Sequence, residues 1–72
     1  MAKLHLATFE KFLKDSKSGI GVSSDASSEM VEVMTELAEE ISKESAELAT
    51  HANRKTILRD DIKMAARRFR KH

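Results

Sequence analysis

The segment His51-Ala52-Asn53-Arg54-Lys55-Thr56-Ile57-Leu58-Arg59-Asp60-Asp61-Ile62 gathers the residues of this chain best suited to chemistry. It closes a long amphipathic pattern, turns through a basic stretch and opens a second pattern with two acids in its first turn. Lys55 and Thr56 then occupy a loop tip, and Arg54 comes within reach of a carboxylate a turn or so further on. A cation and a hydroxyl on a tip held by an ion pair suit a phosphate group, which accepts hydrogen bonds from both and from helix N-terminal N–H groups. Plainer readings stand beside this one. The Arg54–Asp61 pair can be purely structural, and Lys55 can be one more solvated lysine.

Other chemistry finds little support. His5, His51 and His72 are scattered and have no metal-ligand spacing. There is no glycine-rich phosphate loop and no nucleophile elbow. The chain has no cysteine, which excludes disulfides and thiolate metal sites. A chain of 72 residues also leaves little depth for a site that perturbs acids or bases. No catalytic residue, cofactor, metal or small-molecule substrate is therefore expected, and the chain does not read as an enzyme. Met30, Met34 and Met64 read as core filler. No apolar run approaches the roughly 18 residues of a membrane span, so no membrane partner is expected. The start, Met1-Ala2-Lys3-Leu4-His5, lacks the apolar centre of a signal peptide, so a cytoplasmic location is expected.

A net charge of +1 hides strong segregation. The first 24 residues carry Lys3, Lys11, Lys14 and Lys17 against Glu10 and Asp15. From Asp25 to His51, eight acids face Lys43 alone. From Ala52 onward the bases Arg54, Lys55, Arg59, Lys63, Arg67, Arg68, Arg70 and Lys71 face only Asp60 and Asp61. The ends, not the middle, are thus suited to a polyanion. The alternatives are an acidic stripe that is only a solvated face and a C-terminal basic run that is only a frayed, soluble end.

Three helices must position these residues. The first is expected over about Leu6 to Asp15, with Leu6, Phe9, Phe12 and Leu13 on one side. Ser16-Lys17-Ser18-Gly19-Ile20-Gly21-Val22-Ser23-Ser24 breaks it, and Val22 could add a short extended stretch. Ser23 or Ser24 can cap the next helix, with Asp25 in its first turn. That helix should run from about Asp25 to Ala52, with Met30, Met34, Leu37, Ile41, Ser45, Leu48 and Ala52 recurring at spacings of three and four. Val31, Ala38, Ala46 and Ala49 widen the stripe. Asn53 follows as a left-handed cap. The third helix is expected over about Leu58 to Phe69 or Arg70, with Ile62, Ala65, Ala66 and Phe69 apolar. One domain covers residues 1–72.

The long helix decides the architecture. At about 1.5 Å per residue it is a rod of roughly 40 Å. A compact chain of this size is only about 30 Å across. One short helix on each side cannot cover such a rod, whereas a second copy crossing it would bury the apolar stripe. A dimer is therefore expected.

Short helix, loop, long helix, loop, short helix resembles the histone fold, an all-α plan. The residues resemble the archaeal-type histones in particular. Glu44-Ser45-Ala46-Glu47-Leu48-Ala49-Thr50-His51-Ala52-Asn53-Arg54-Lys55-Thr56-Ile57, then Asp61-Ile62 and Ala65-Arg68-Phe69, carry the likeness most strongly. Leu37-Ala38-Glu39-Glu40-Ile41 and Val22-Ser23-Ser24-Asp25-Ala26 also fit, and Lys11-Phe12-Leu13-Lys14-Asp15 fits more loosely.

The resemblance implies a handshake homodimer with the long helices crossed antiparallel, and a tetramer or higher assembly becomes an option. It sets the first loop of one chain beside the second loop of its partner, as a basic edge for double-stranded DNA. The DNA-facing set so implied is Lys11, Lys14, Lys17, Ser23, Arg54, Lys55, Thr56 and Arg59, with Arg54 paired to Asp61. Leu48, His51, Asp61 and Met64 fall at positions between dimers; His51 also reads as a partner of its own helix dipole. The chain departs from the pattern at Gly21, where the family carries a base, and Lys17 in a longer loop is the nearest substitute. Ser27, Glu32 and Thr50 also stand where the long helix often carries Lys or Arg. The function implied is architectural: binding chromosomal DNA without sequence specificity and compacting, bending or bridging it in the nucleoid. The alternative is a histone-fold interaction or heterodimerisation module with incidental DNA contact.

Overall fold

The computed structural model describes residues 5–70. Lys71 and His72, which end the basic run, lie outside the described residues, as do Met1 to Leu4. Three helices follow in order: α1 (Leu6–Asp15), α2 (Ser24–His51) and α3 (Arg59–Arg70). No strand occurs among the described residues, so Val22 adds no extended pairing there. The all-α, short-long-short plan read from the sequence is the one observed. Contacts group into two compact units, Met1–Glu36 and Leu37–His72, described separately below.

In the first unit, α1 ends where Ser16 turns back, its N–H and its hydroxyl both donating to the Leu13 carbonyl at 3.3 and 2.6 Å. A tight turn follows, in which the Ile20 N–H donates to the Lys17 carbonyl at 3.2 Å. Gly19 at its third position has φ +81°, which a turn of type II requires and which a side chain would oppose. Ser23 then caps α2: its hydroxyl accepts the Ala26 N–H at 3.0 Å. Of the two serines suited to this task, Ser23 performs it and Ser24 begins the helix. Phe9 and Phe12 meet edge to face at 5.8 Å. The expected apolar side of α1 divides: Phe9 and Leu13 are half-buried, while Leu6 and Phe12 are exposed. Phe12 lies at the edge of the stripe, about 100° of rotation from Leu13, and one short helix packs only the stripe's centre. Ser27 is buried, and its hydroxyl has no hydrogen-bond partner among the described residues.

In the second unit, α3 packs on α2 through small side chains. Ser45 and Ala49 of α2 and Asp61 and Ala65 of α3 are all buried, and the Ser45 hydroxyl lies 3.5 Å from the Asp61 carbonyl. Small residues bring the two backbones close. Leu37, Ile41 and Leu48, expected to form the stripe, are only half-buried, and Ala52 is exposed. The packing of α3 on α2 takes in Ser45 of the stripe and Ala49 on its flank, and leaves Leu37, Ile41 and Leu48 half-open.

Ala49 and Ala65 are the only buried apolar residues among those described. Val33, Ile57, Leu58, Ile62, Met64 and Phe69 each expose more than a third of their surface. Among the described residues no large apolar side chain is thus fully buried, whereas full burial would contribute about 1.5–3 kcal/mol each.

Candidate nucleic-acid interface

The turn between α2 and α3 is built residue by residue from its sequence. α2 ends in a Schellman motif: the Arg54 N–H donates to the Ala49 carbonyl and the Asn53 N–H to the Thr50 carbonyl, both at 2.9 Å. Asn53 takes φ 61°, and it is the one non-glycine residue with positive φ among those described. Asparagine tolerates that conformation better than other side chains do.

The chain then reverses around one ion pair. The Arg54 guanidinium forks onto the Asp61 carboxylate, with Nη1 2.8 Å from Oδ2 and Nη2 3.0 Å from Oδ1. Nη1 also donates to the Thr56 carbonyl at 3.0 Å, which fixes the loop between them. The Leu58 N–H donates to Asp61 Oδ2 at 2.8 Å. Leu58 directly precedes α3 and Asp61 is its third residue, so the acid also caps the helix in the manner of a capping box. The Asp61 side chain is only 5% exposed and that of Arg54 34%. The Arg54 hydrogen bond, then the Leu58 N–H, hold the Asp61 carboxyl down from 3.8 to about 2, while Asp61 raises the basicity of Arg54. Each group favours the charged form of the other.

What this fork leaves outside matters most. Lys55, Thr56 and Arg59 are exposed, and none of them is engaged by a carboxylate among the described residues. Arg54, by contrast, has its guanidinium committed to Asp61 and to Thr56.

In the first unit, Lys11, Lys14, Lys17 and Ser23 are exposed. Lys11 lies 3.7 Å from Asp15 and Lys14 3.8 Å from Glu10, in surface pairs one turn apart that a polyanion can displace at little cost. Lys17 occupies the first position of the Gly19 turn and has no carboxylate partner among the described residues. The Ser23 hydroxyl is already used as the α2 cap. Gly21 has no positive φ, and a Cβ built there meets nothing within 4 Å. The backbone therefore does not demand glycine where the resemblance implies a base.

Of the residues expected between dimers, Leu48 is half-buried, His51 and Met64 are exposed, and both Asp61 oxygens are already occupied. Sequence reasoning missed two contributors. The Leu58 N–H does have a signal, the N-cap-to-third-residue spacing to Asp61. Arg68 has none: its Nη1 binds Glu44 Oε2 at 2.7 Å across 24 residues of chain, which removes it from the free C-terminal bases. No cluster of three metal-ligating side chains occurs among the described residues, and no helix there is long and apolar enough to cross a membrane.

Known proteins resemble this chain in sequence. Residues 2–66 match the family model described as histone-like transcription factor (CBF/NF-Y) and archaeal histone. One of the subunits of archaeal histone HAN1 from Thermococcus zilligii is 35% identical over 68 residues, covering 93% of this chain and 98% of that protein. Probable archaeal histone 3 of Methanocaldococcus jannaschii is 41% identical over 68 residues, with the same shares covered. The family match takes in α1, α2, the Arg-Lys-Thr corner and most of α3, and the chain belongs to the family of histone-like transcription factors (CBF/NF-Y) and archaeal histones.

Proposed function

We propose that this chain is an architectural DNA-binding protein that grips the backbone of duplex DNA without reading its bases and compacts, bends or bridges it in the nucleoid. The observation that carries this reading is the Arg54–Asp61 fork, which holds its loop from within and leaves the Lys55 and Thr56 side chains exposed and without a partner among the described residues. A loop backbone held before the ligand arrives loses little conformational freedom on binding. A lysine and a hydroxyl contact phosphate without carrying sequence information, so affinity should be insensitive to sequence and should fall steeply with salt.

Residues 1–72 act as one domain of a homodimer in this reading, with Lys11, Lys14, Lys17 and Ser23 completing the DNA-facing set of Lys55, Thr56 and Arg59. Arg54 serves that set from behind, as the residue that positions the loop. The half-open stripe of α2 and the exposed apolar residues of α3 supply the dimer's buried surface. Leu48, His51 and Met64 remain candidates for contact between dimers; Asp61, with both oxygens used, is the weakest of that group.

A gel shift with two unrelated duplexes at low and high salt tests the function. Equal retardation of both at low salt, lost at high salt, is expected. Absence of any shift at low salt refutes the reading and favours an interaction module that pairs with protein partners, for which Gly21 and the acid-rich α2 argue.

A further inference from the structure

The solvent side of α3 carries a feature that the loop site does not include. Arg59, Lys63, Arg67 and Arg70 follow one another at spacings of four, four and three, so they share one side of the helix. All four are exposed, and none lies within ion-pair distance of a carboxylate among the described residues. Arg68, one position from Arg67, shows the contrast: it points back to α2 and is neutralised by Glu44 at 2.7 Å. Of the two α3 carboxylates, Asp61 is held under Arg54 and only Asp60 is exposed near the row. The packed side of the helix is a different one, marked by the buried Asp61 and Ala65.

We propose that this row of bases is a second phosphate-binding surface of the protein, which engages the backbone of duplex DNA along the length of α3. The inference rests on the DNA reading above and extends it from the loop corner to a helix face. Its geometry suits a polyanion. From Arg59 to Arg70 the helix rises by about 16 Å, a length over which duplex DNA presents roughly ten phosphate charges at about 1.7 Å of axis each. Four cations with no ion-pair partner among the described residues, held on one helix, repel one another in the free protein, and neutralisation by phosphate relieves that repulsion. Arg59 belongs to both surfaces, since it opens α3 directly after the Lys55-Thr56 loop. Arginine forks and the lysine ammonium both bind phosphate, so the row needs no base contact to act.

The test compares three proteins in a salt series of duplex affinity: wild type, Lys55→Ala, and the triple variant Lys63→Gln, Arg67→Gln, Arg70→Gln. Glutamine keeps helix propensity close to that of the bases it replaces, and far-UV circular dichroism verifies that each variant is folded. The single variant Lys63→Gln, read in the same series, serves if the triple variant does not fold. The expected result is a salt slope that flattens by about 0.9 for each phosphate no longer neutralised, hence by about 2–3 in the triple variant and about 1 in either single variant. Suppose Lys55→Ala flattens the slope while the triple variant matches wild type. That overturns the α3 surface and leaves the loop reading intact. If wild type itself fails to bind at low salt, both fall together. A triple variant that loses salt-dependent self-association, with its DNA slope unchanged, overturns the proposal in favour of docking on the acidic side of α2 in another copy.

Discussion

The two loops of this molecule end helices in similar ways and hold their cations in opposite ways. Each contains one residue with positive φ, Gly19 in the first and Asn53 in the second. The first loop is shaped without charge, through the Lys17–Ile20 backbone turn and the hydroxyl cap of Ser23. The second is shaped by charge, through a fork that ties Arg54 to Asp61, to Thr56 and, by way of Asp61, to Leu58. An ion pair used inside a loop ties down the backbone that carries the neighbouring donors before any ligand arrives. A backbone turn fixes only the path of the chain. The second loop is therefore the pre-organised half of the proposed interface, and the first has Gly21 where the resemblance implies a base.

The largest effect that would break this contrast comes from Asp61→Asn. The change leaves the Arg54 guanidinium without its counter-charge and weakens the acceptor of the Leu58 N–H. A thermal midpoint lower by on the order of 10 °C is expected by circular dichroism, together with weaker duplex binding although the residue touches no phosphate. The pH dependence follows from the sign of the shift. Asp61 is held down from 3.8 to about 2, so it stabilises the fold fully above 3.8 and loses that contribution as the pH falls from there through about 2. The gap in stability between wild type and Asp61→Asn should close over that window. A constant gap would show that the acid's charge is not what holds the loop.

Removing the device that ends the first loop should cost less. Ser23→Ala leaves the Ala26 N–H without its acceptor, a loss of about 1 kcal/mol. In a chain of this size that lowers the midpoint by about 4–8 °C. The first loop can also be made more like the second. Because a Cβ at Gly21 meets open space and the backbone there is not left-handed, Gly21→Arg should fold as wild type does and steepen the salt slope of duplex binding by about 1. An unchanged slope would show that this loop does not face DNA.

The smallest expected change concerns Ser27. Its buried hydroxyl has no partner among the described residues, and Ser27→Ala removes that unsatisfied group at almost constant volume. Stability equal to wild type or higher by up to about 1 kcal/mol is expected in denaturant titrations. Ser45→Ala, by contrast, gives up the approach to the Asp61 carbonyl and should be mildly destabilising.

Much of this arrangement is legible in the sequence because it is local. The unbroken period of three and four sets α2, the serine pair before Asp25 sets its start, and Asn53 after the last periodic residue sets its end. The spacing from Arg54 to Asp61 likewise singles out the two charges of the second loop. What the sequence does not disclose depends on contacts between distant segments. Nothing near Glu44 announces Arg68, 24 residues away. Nothing in the α2 stripe says that α3 will pack on its small residues, Ser45 and the flanking Ala49, and leave Ile41 and Leu48 half-open. Phe12 reads as core from its hydrophobicity, yet one short helix packs only the middle of its stripe. The open stripe itself leads to a further expectation. If a second copy covers it, folding and pairing are one process, and the thermal midpoint should rise with protein concentration. A midpoint independent of concentration would mark a stably folded monomer and rule out the handshake.

The proposed role of the charge-locked loop is tested most directly by duplex affinity measured across a salt series for wild type and Lys55→Ala side by side. The expected outcome is weaker binding to every sequence alike, with a slope of log affinity against log salt flatter by about one unit. Equal affinity and equal slope in the two proteins would contradict it, and would reduce the fork between Arg54 and Asp61 to a purely structural device.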